Sequence, residues 1–154
     1  MIHKIQNSYH QFAAFISGRV PEAMMLLFVR VALAGIFWRS GRTKVEEGSW
    51  LQLSETTTFL FEEEYAGVPL PSDIAAYMAT YAEHLFPILL ILGLFTRISA
   101  TALLIMTLVI QFFVYPDAWW QVHIIWVAMA LTLIVRGGGL FSLDHILSRK
   151  SYAA

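Results

Sequence analysis

Four stretches of about 17 to 23 predominantly apolar residues divide this chain, and their length restricts the folds open to it. A helix of roughly 20 residues crosses a hydrocarbon core of about 30 Å and satisfies its backbone hydrogen bonds within its own segment. Hydrophobic residues make up 58% of the 154 residues and charged residues only 14%, which is too apolar for a soluble domain of this size. We therefore predict an all-α integral membrane four-helix bundle that forms one domain over residues 1–154, with spans at residues 22–39, 73–95, 98–115 and 119–135.

Basic residues near the span ends predict the orientation, because lysine and arginine beside a span stay in the cytoplasm. Six of them fall on the side of the N-terminus and three on the opposite side. The six are Lys4, Arg19, Arg97, Arg136, Arg149 and Lys150. The three are Arg39, Arg42 and Lys44. This excess predicts a multi-pass membrane protein with both termini in the cytoplasm.

The first twenty residues are predicted to form an interfacial helix. Ile2, Ile5, Tyr9, Phe12 and Ile16 recur at helical spacing, and the segment has no small-residue cleavage site of the kind that ends a signal peptide. A short helix with one apolar face is typical of a segment that lies on a membrane surface. We therefore expect this helix on the cytoplasmic face.

The long connection at residues 41–72 contains six glutamates and is predicted to form an outer cap on the bundle. Ser54 followed by Glu55 predicts the start of a helix with Ser54 as N-cap, and Phe59–Phe61 are expected to pack down onto the spans. The run Glu62–Glu64 is either a solvated helix face or a vestibule that attracts cations.

Two charged residues, Arg30 and Glu83, fall near the middle of the first and second predicted spans. An unpaired charge at the membrane centre costs roughly 3 kcal/mol or more, so such residues face the bundle interior, find a partner and mark function. At about 1.5 Å per residue, Arg30 lies roughly 13 Å from the inner end of its span and Glu83 roughly 15 Å from the outer end of its own. We predict that they lie at one level as a direct or water-bridged pair, which either serves the function or only fixes the register of two helices.

Polar and aromatic residues in the outer half of the bundle predict a pocket that opens outward. Two histidines and one glutamine fall there on spans two, three and four, and aromatic residues share their helix faces. Rings beside imidazoles would suit a flat aromatic headgroup. Alternatively, the tryptophans belong to the interfacial aromatic belt and the histidines only donate a hydrogen bond to a neighbouring helix. The candidate catalytic residues are Glu83 and His123, and the candidate pocket residues are Arg30, Tyr81, His84, Gln111, Trp119 and Trp126.

The chain contains no cysteine, which excludes several kinds of membrane redox chemistry. Thiol–disulfide exchange needs a thiolate and iron–sulfur clusters are held by cysteines, so neither is expected. A bis-histidine haem is not expected either, because the two span histidines differ in depth by about 9 Å. The run Gly137–Gly139 lacks the spacing of a phosphate-binding loop and is interpreted as a break that ends span four. We expect no nucleic-acid partner.

Three segments of the chain resemble the DoxX family. The first is Arg30-Val-Ala-Leu-Ala-Gly-Ile-Phe37, followed by Gly41 and Lys44. The second is Ala82-Glu83 followed by LLILGLFTR at residues 89–97, and the third is GGGLFSLDHIL at residues 137–147, which is similar to the glycine-rich ending of that family. Their order and spacing cover most of the chain.

The resemblance implies a four-helix inner-membrane protein in a family named after the small subunits of an archaeal thiosulfate:quinone oxidoreductase. Arg30 and Glu83 coincide with the recurrent charges of that family in its first two spans. Residues 119–123 (WWQVH) depart from its more usual small and acidic stretch. The resemblance implies a quinone-linked redox accessory subunit with membrane lipid and redox proteins as partners. It leaves open whether the chain catalyses a reaction, as a subunit of a quinone-dependent oxidoreductase, and whether it is an oligomer.

In the quinone hypothesis each candidate residue has a role. His123 or His84 hydrogen-bonds a quinone carbonyl oxygen, Glu83 relays protons, Arg30 keeps Glu83 ionised, and Trp126 stacks on the ring. The protein supplies binding and proton routing, while the cofactor carries the electrons.

Two other hypotheses stay open. In the first, Glu83, His84 and His123 bind or transport copper or zinc, although neighbouring residues on a helix point about 100° apart and do not easily share one ion. In the second, the chain is a non-catalytic membrane scaffold whose glutamate-rich cap and cytoplasmic ends dock partner proteins.

Overall fold

A computed structural model describes residues 2–151 of the chain. Within this range the secondary structure is helical, without a β-strand, and the predicted all-α class is confirmed. The side chains of Ile2, Lys4, Ile5 and Lys150, on which parts of the sequence prediction rest, lie outside the described ones. The α-helices in chain order are α1 (Ile2–Ile16), α2 (Arg19–Arg42), α3 (Glu55–Glu63), α4 (Ser72–Leu92), α5 (Thr96–Phe113), α6 (Ile124–Arg136) and α7 (Leu143–Ser151).

The four predicted spans are confirmed as four helical segments long and apolar enough to cross a membrane. The first, α2, has 24 residues and extends beyond the predicted range of 22–39 at both ends. The fourth, Pro116–Arg136, is not a continuous α-helix. It begins with a 3-10 turn at Pro116–Ala118 and a π-helical turn at Trp119–His123, and only then continues as α6.

Apolar side chains divide between a packed interior and an outer surface that suits lipid. The interior is made where α2 packs against α4 and α6, and α5 against both. Large apolar residues such as Phe28, Ile98 and Phe112 are mostly exposed on the outside of the spans. A soluble monomer rarely exposes apolar surface on this scale, so these faces indicate contact with lipid. The central buried residues are Leu26, Leu33, Ala34, Phe37, Leu90, Ala100, Leu103, Ala130 and Leu133.

The connection between α2 and α4 forms a folded cap that is anchored to the spans. Ser54 is the N-cap of α3 as predicted, since its side-chain oxygen accepts a hydrogen bond from the Thr57 peptide N–H at 3.2 Å. Phe61 is buried against Ala75 and Ala76 of α4. Phe59 is 65% exposed, so the prediction that it packs down is wrong. At about 100° per residue, Phe59 and Phe61 lie on opposite sides of the nine-residue helix, and only one side has a partner.

The bundle has two ends, a cap end and a terminal end. The cap end carries residues 43–71 and the turn between α5 and span four. The terminal end is where α2 begins, α4 meets α5, and α6 ends. At the terminal end Gly137 closes α6 with a φ of 75°, as the predicted break requires, but the chain then turns back into α7, which the sequence did not predict.

Candidate functional site

A buried ion pair between Lys44 and Glu83 is the centre of the cap end. The Lys44 ammonium donates to both carboxylate oxygens of Glu83, at 2.8 and 3.1 Å, and to Ser40 Oγ at 3.0 Å. The two charged side chains are only 8% and 2% exposed. Charges taken out of solvent in this way persist only when they are paired and hydrogen-bonded.

The cap places Lys44 over Glu83. Lys44 lies just beyond the C-terminus of α2, and its carbonyl accepts hydrogen bonds from the Ser54 peptide N–H at 3.0 Å and from Thr57 Oγ1 at 2.9 Å. These bonds tie the chain that leaves α2 to the start of α3. The long lysine side chain is therefore free to return along the bundle while its backbone stays in the cap.

Gly41 allows α2 and α4 to approach closely at this level. A Cβ atom on Gly41 would lie 3.0 Å from the His84 ring and 3.1 Å from Cβ of Glu83, which is tighter than ordinary contact. Small residues let membrane helices pack closely and bring polar side chains within reach of a neighbour. Gly41 thus sets the distance at which the polar side chains of α4 meet the end of α2.

His84 lies beside the ion pair with one free ring nitrogen. It is 5% exposed, and its Nδ1 is 2.7 Å from the Thr80 carbonyl oxygen. A carbonyl only accepts, so Nδ1 carries a proton, and in the neutral imidazole Nε2 is an acceptor. Nε2 is buried and has no hydrogen-bond partner among residues 2–151. Trp38 and the imidazole pack in a T-shaped arrangement, with ring centroids 5.1 Å apart.

His123 and Gln111 form a second polar cluster at the cap end. His123 Nδ1–H donates to Gln111 Oε1 at 2.7 Å, and Gln111 Nε2 donates to the Pro116 carbonyl at 2.7 Å. The π-helical turn ends at His123 and aims its buried ring toward α5. Trp126 packs between His123 and Phe37, with ring centroids 5.3 and 5.5 Å away. The predicted grouping of Gln111, His123 and Trp126 is therefore present.

The predicted ion pair between Arg30 and Glu83 is wrong. Glu83 is level with Gly41, which is some 16 Å along α2 from Arg30 at about 1.5 Å per residue. Arg30 donates instead to the Phe141 carbonyl, and its guanidinium fills the space beside Gly93 at the terminal end. The prediction counted depth from the ends of two spans that were assumed to be centred at one level. It did not allow for an arginine side chain that reaches back toward the start of its own helix.

The residues predicted to line one outer pocket do not all come together in the structure. Tyr81 is 49% exposed and stacks on Tyr77 on the outer face of α4, away from the buried His84. Trp119 is half-buried in the π-helical turn. No hydrogen bond links His84 with His123 in the described part of the chain.

The copper or zinc alternative has no geometric support. Within residues 2–151 no three His, Asp or Glu side chains come together as a metal site. Glu83 is committed to Lys44, while His84 and His123 belong to separate clusters.

A third polar region occupies the terminal end. Asp144 of α7 caps α5, since its two carboxylate oxygens accept the peptide N–H groups of Phe95 and Thr96 at 2.8 Å each. The Asp144 peptide N–H in turn donates to the Gly93 carbonyl at 2.9 Å. The Ser-Leu-Asp sequence after the glycines was the one sequence signal for this cap, because Asp is a preferred N-cap residue. Here, however, the aspartate caps a helix that is distant in sequence.

Comparison with known protein families matches residues 25–116 to DoxX, which is more than half of the chain. The chain belongs to the DoxX family. A curated relative from Haemophilus influenzae, described as an uncharacterized protein, is 30% identical over 138 residues, which cover 84% of this chain and 87% of the relative. No solved structure matched the chain.

The DoxX match covers some polar regions of the molecule and leaves others outside it. It includes Arg30, the Lys44–Glu83 pair, His84 and Gln111, and it ends at Pro116. His123 and the segment Gly137–Leu147 lie beyond the matched residues. The Lys44–Glu83 pair is the feature that sequence reasoning missed, because Lys44 was counted as a basic residue outside the membrane.

Proposed function

We propose that this DoxX family protein is a quinone-linked membrane redox subunit whose Lys44–Glu83–His84 cluster accepts protons from a bound quinol. One observation carries the proposal above all others: a buried imidazole with an unpartnered Nε2 lies beside a buried ion pair. Ionisable groups inside a membrane bundle are costly and mark proton or ligand pathways.

The polarity of His84 fits a quinol hydroxyl. Because Nδ1–H is held by the Thr80 carbonyl, the free Nε2 accepts a hydrogen bond and then a proton. The carboxylate of Glu83, which precedes His84 on α4, stabilises the imidazolium that results. In this scheme Lys44 rather than Arg30 keeps Glu83 ionised, through two short hydrogen bonds.

A bound quinone would supply the electron-carrying chemistry, and the chain supplies the rest. The sequence has no cysteine, so we assign electron transfer to a partner redox protein rather than to a thiol of this chain. Gln111, His123 and Trp126 are retained as proposed recognition residues at the same end of the bundle. With both termini in the cytoplasm, as the basic residues predict, this end faces the outer side of the bacterial inner membrane.

The direct test is quinone content. The protein is purified in mild detergent, and bound ubiquinone and menaquinone are quantified by mass spectrometry before and after reconstitution with each quinone. Wild type should retain quinone, and His84→Leu should reduce the affinity at least tenfold. His10→Leu is a matched control, because it removes an exposed imidazole from α1. Absence of quinone from wild type, or equal binding by His84→Leu, would contradict the proposal.

A scaffold function has one observation in its favour. The cap exposes Trp50 and Phe59, which are 71% and 65% accessible. Exposed aromatic residues are typical of protein interfaces. If the chain is only a scaffold, Trp50→Ser with Phe59→Ser should abolish co-purification of partner proteins and leave quinone content unchanged. The double variant Lys44→Met with Glu83→Leu should then change neither the co-purification of partner proteins nor the quinone content.

A further inference from the structure

A cleft of about 630 Å³ opens at the terminal end, on the opposite side of the bundle from the His84 cluster. Its walls are the start of α2, the first turn of α5, and the segment from Gly137 to Ser148. The proposed redox function makes no use of it. Its size falls within the range of small-molecule sites, and its lining combines arginines, hydroxyls and glycines with apolar side chains.

The mouth of the cleft has an excess of positive charge. Its lining includes Arg19, Arg97 and Arg136 against Glu22 and Asp144. Glu22 is paired with Arg136 through Nε at 2.8 Å, and the carboxylate of Asp144 is used by the two peptide N–H groups at the start of α5. The Arg19 side chain makes no hydrogen bond or ion pair in the part of the chain that the structure describes. Arg97 uses Nη1 to donate to the Ile134 and Val135 carbonyls.

The floor of the cleft holds polar donors without partners. Thr96 lines the cleft and is fully buried, and its hydroxyl has no hydrogen-bond partner among the described residues. Gly138 passes close above it, since a Cβ atom there would lie 2.7 Å from Thr96 Oγ1 and 2.8 Å from Ser142 Oγ. The peptide N–H groups of Gly138 and Gly139 donate to no backbone carbonyl within residues 2–151. Successive free N–H groups in a turn of this kind form a concavity suited to anions.

Arg30 adds a buried positive charge directly behind this floor. It is fully buried and donates to the Phe141 carbonyl, which holds the segment that follows the glycines. Its Nε and Nη1 groups have no partner, and it forms no ion pair among the described residues. A guanidinium cannot lose its charge, so a buried arginine with donors to spare favours an anion nearby.

The chemistry of these donors selects the ligand class. Guanidinium groups, hydroxyls and free peptide N–H groups together recognise phosphate oxygens. Leu26, Phe95 and Ile98 belong to the apolar part of the lining, and Phe95 and Ile98 are also exposed on the outside of the bundle. Basic pockets between membrane helices at the headgroup level hold anionic lipids.

We propose that this cleft binds a phosphate group, with Arg19 and Arg97 at its mouth and Thr96 at its floor, and that an anionic phospholipid carries it. The apolar walls beside the arginines favour the lipid over free phosphate, because they would cover the first carbons of an acyl chain. Arg30 is a positioning residue, since it acts through the backbone of Phe141 and through its charge.

The test is native mass spectrometry of the purified full-length chain with phosphatidylglycerol, and with phosphatidylcholine of the same acyl chains. Wild type should bind phosphatidylglycerol at least fivefold more tightly than phosphatidylcholine. Arg19→Gln should remove most of this preference. Arg39→Gln is the matched control, because it removes an exposed arginine from the opposite end of the same helix and should change binding less than twofold.

The variant Thr96→Val tests whether the Thr96 hydroxyl contacts the ligand. If the hydroxyl binds phosphate, the variant should weaken phosphatidylglycerol binding and lower the shift in Tm that this lipid produces. If it binds nothing, loss of a buried unpartnered hydroxyl should leave binding unchanged and raise Tm without lipid. The second result, or equal binding of both lipids by wild type, overturns the proposal.

Competition with inorganic phosphate identifies the carrier. Displacement of phosphatidylglycerol by millimolar phosphate would assign the site to a free phosphate. Failure of phosphate to displace the lipid, together with the Arg19→Gln and Thr96→Val effects, would assign it to the phospholipid. Both results support a phosphate site, and neither depends on whether the protein binds quinone.

Discussion

The two ends of this bundle treat buried charge in opposite ways. At the cap end, the buried Lys44 and Glu83 neutralise each other through their side chains. At the terminal end, the buried Arg30 donates to a backbone carbonyl, which carries no countercharge. The exposed Arg97 also donates to a backbone carbonyl, and an open cleft lies beside it. The paired charge agrees with the proton transfer that we propose for the cap end, and the arginine surplus with the anion that we propose for the terminal cleft.

The largest effect is expected where the pairing at the cap end is broken. Lys44→Met leaves the Glu83 carboxylate buried without a countercharge, and this should cost roughly 3 to 5 kcal/mol of unfolding free energy. Chemical unfolding in detergent measures it. The double variant Lys44→Met with Glu83→Leu removes both charges and should recover most of the loss. A single variant as stable as wild type would show that the pair contributes little and would weaken the contrast between the two ends.

A smaller effect is expected at the terminal end, where backbone geometry rather than ion pairing holds the arginine. Gly93 has a φ of 66°, and a Cβ atom there would overlap the Arg30 guanidinium and lie 2.5 Å from Cβ of Ser142. Gly93→Ala should therefore destabilise the protein by about 1 to 3 kcal/mol. Gly35→Ala is the control, because nothing lies within 4 Å of a Cβ atom at that helical position. It should be neutral or stabilising by up to about 1 kcal/mol, and equal losses in both variants would contradict the close approach of Arg30.

The smallest effect concerns an exposed contact of the cap, between the Tyr115 hydroxyl and the Glu64 carboxylate. This hydrogen bond and partial burial raise the pKa of Tyr115 above its ordinary value. The folded protein thus holds this proton to higher pH than the unfolded chain does, so its stability should fall as pH rises above about 10. Tyr115→Phe should cost less than about 1 kcal/mol at neutral pH and reduce that fall.

The measurement for this third prediction is unfolding followed at several pH values between 8 and about 11. Burial also raises the pKa of Tyr65, so some pH dependence should persist in Tyr115→Phe. If stability falls with pH as steeply in Tyr115→Phe as in wild type, Tyr115 does not contribute to the fall, and we would assign it to Tyr65.

Local patterns in the sequence predicted the elements well. The four spans, the N-cap at Ser54 and the end of α6 at Gly137 depend on neighbouring residues, and the structure confirms each of them. The exposed Glu62–Glu64 run agrees with a solvated face. The π-helical turn before His123 was not predicted, because it carries no periodicity distinct from that of an α-helix over five residues.

The candidate site was predicted only in part. Glu83, His84, Gln111 and His123 were singled out correctly as buried polar residues. Their partners were not, because a partner depends on which residues of two distant segments lie at one level. Lys44 follows the end of its span and returns along the bundle, and Asp144 caps a helix that starts 48 residues earlier.

The sequence by itself determined that this chain forms four membrane-spanning helices and which polar residues they bury, because length, hydropathy and caps are local properties. Only the tertiary structure decided that Glu83 pairs with Lys44 and that Arg30 reaches Phe141. The physical reason is the axial register of α2 against α4, which close packing at Gly41 and Gly93 sets. A shift of a few residues in that register would have produced different partners from the same helices.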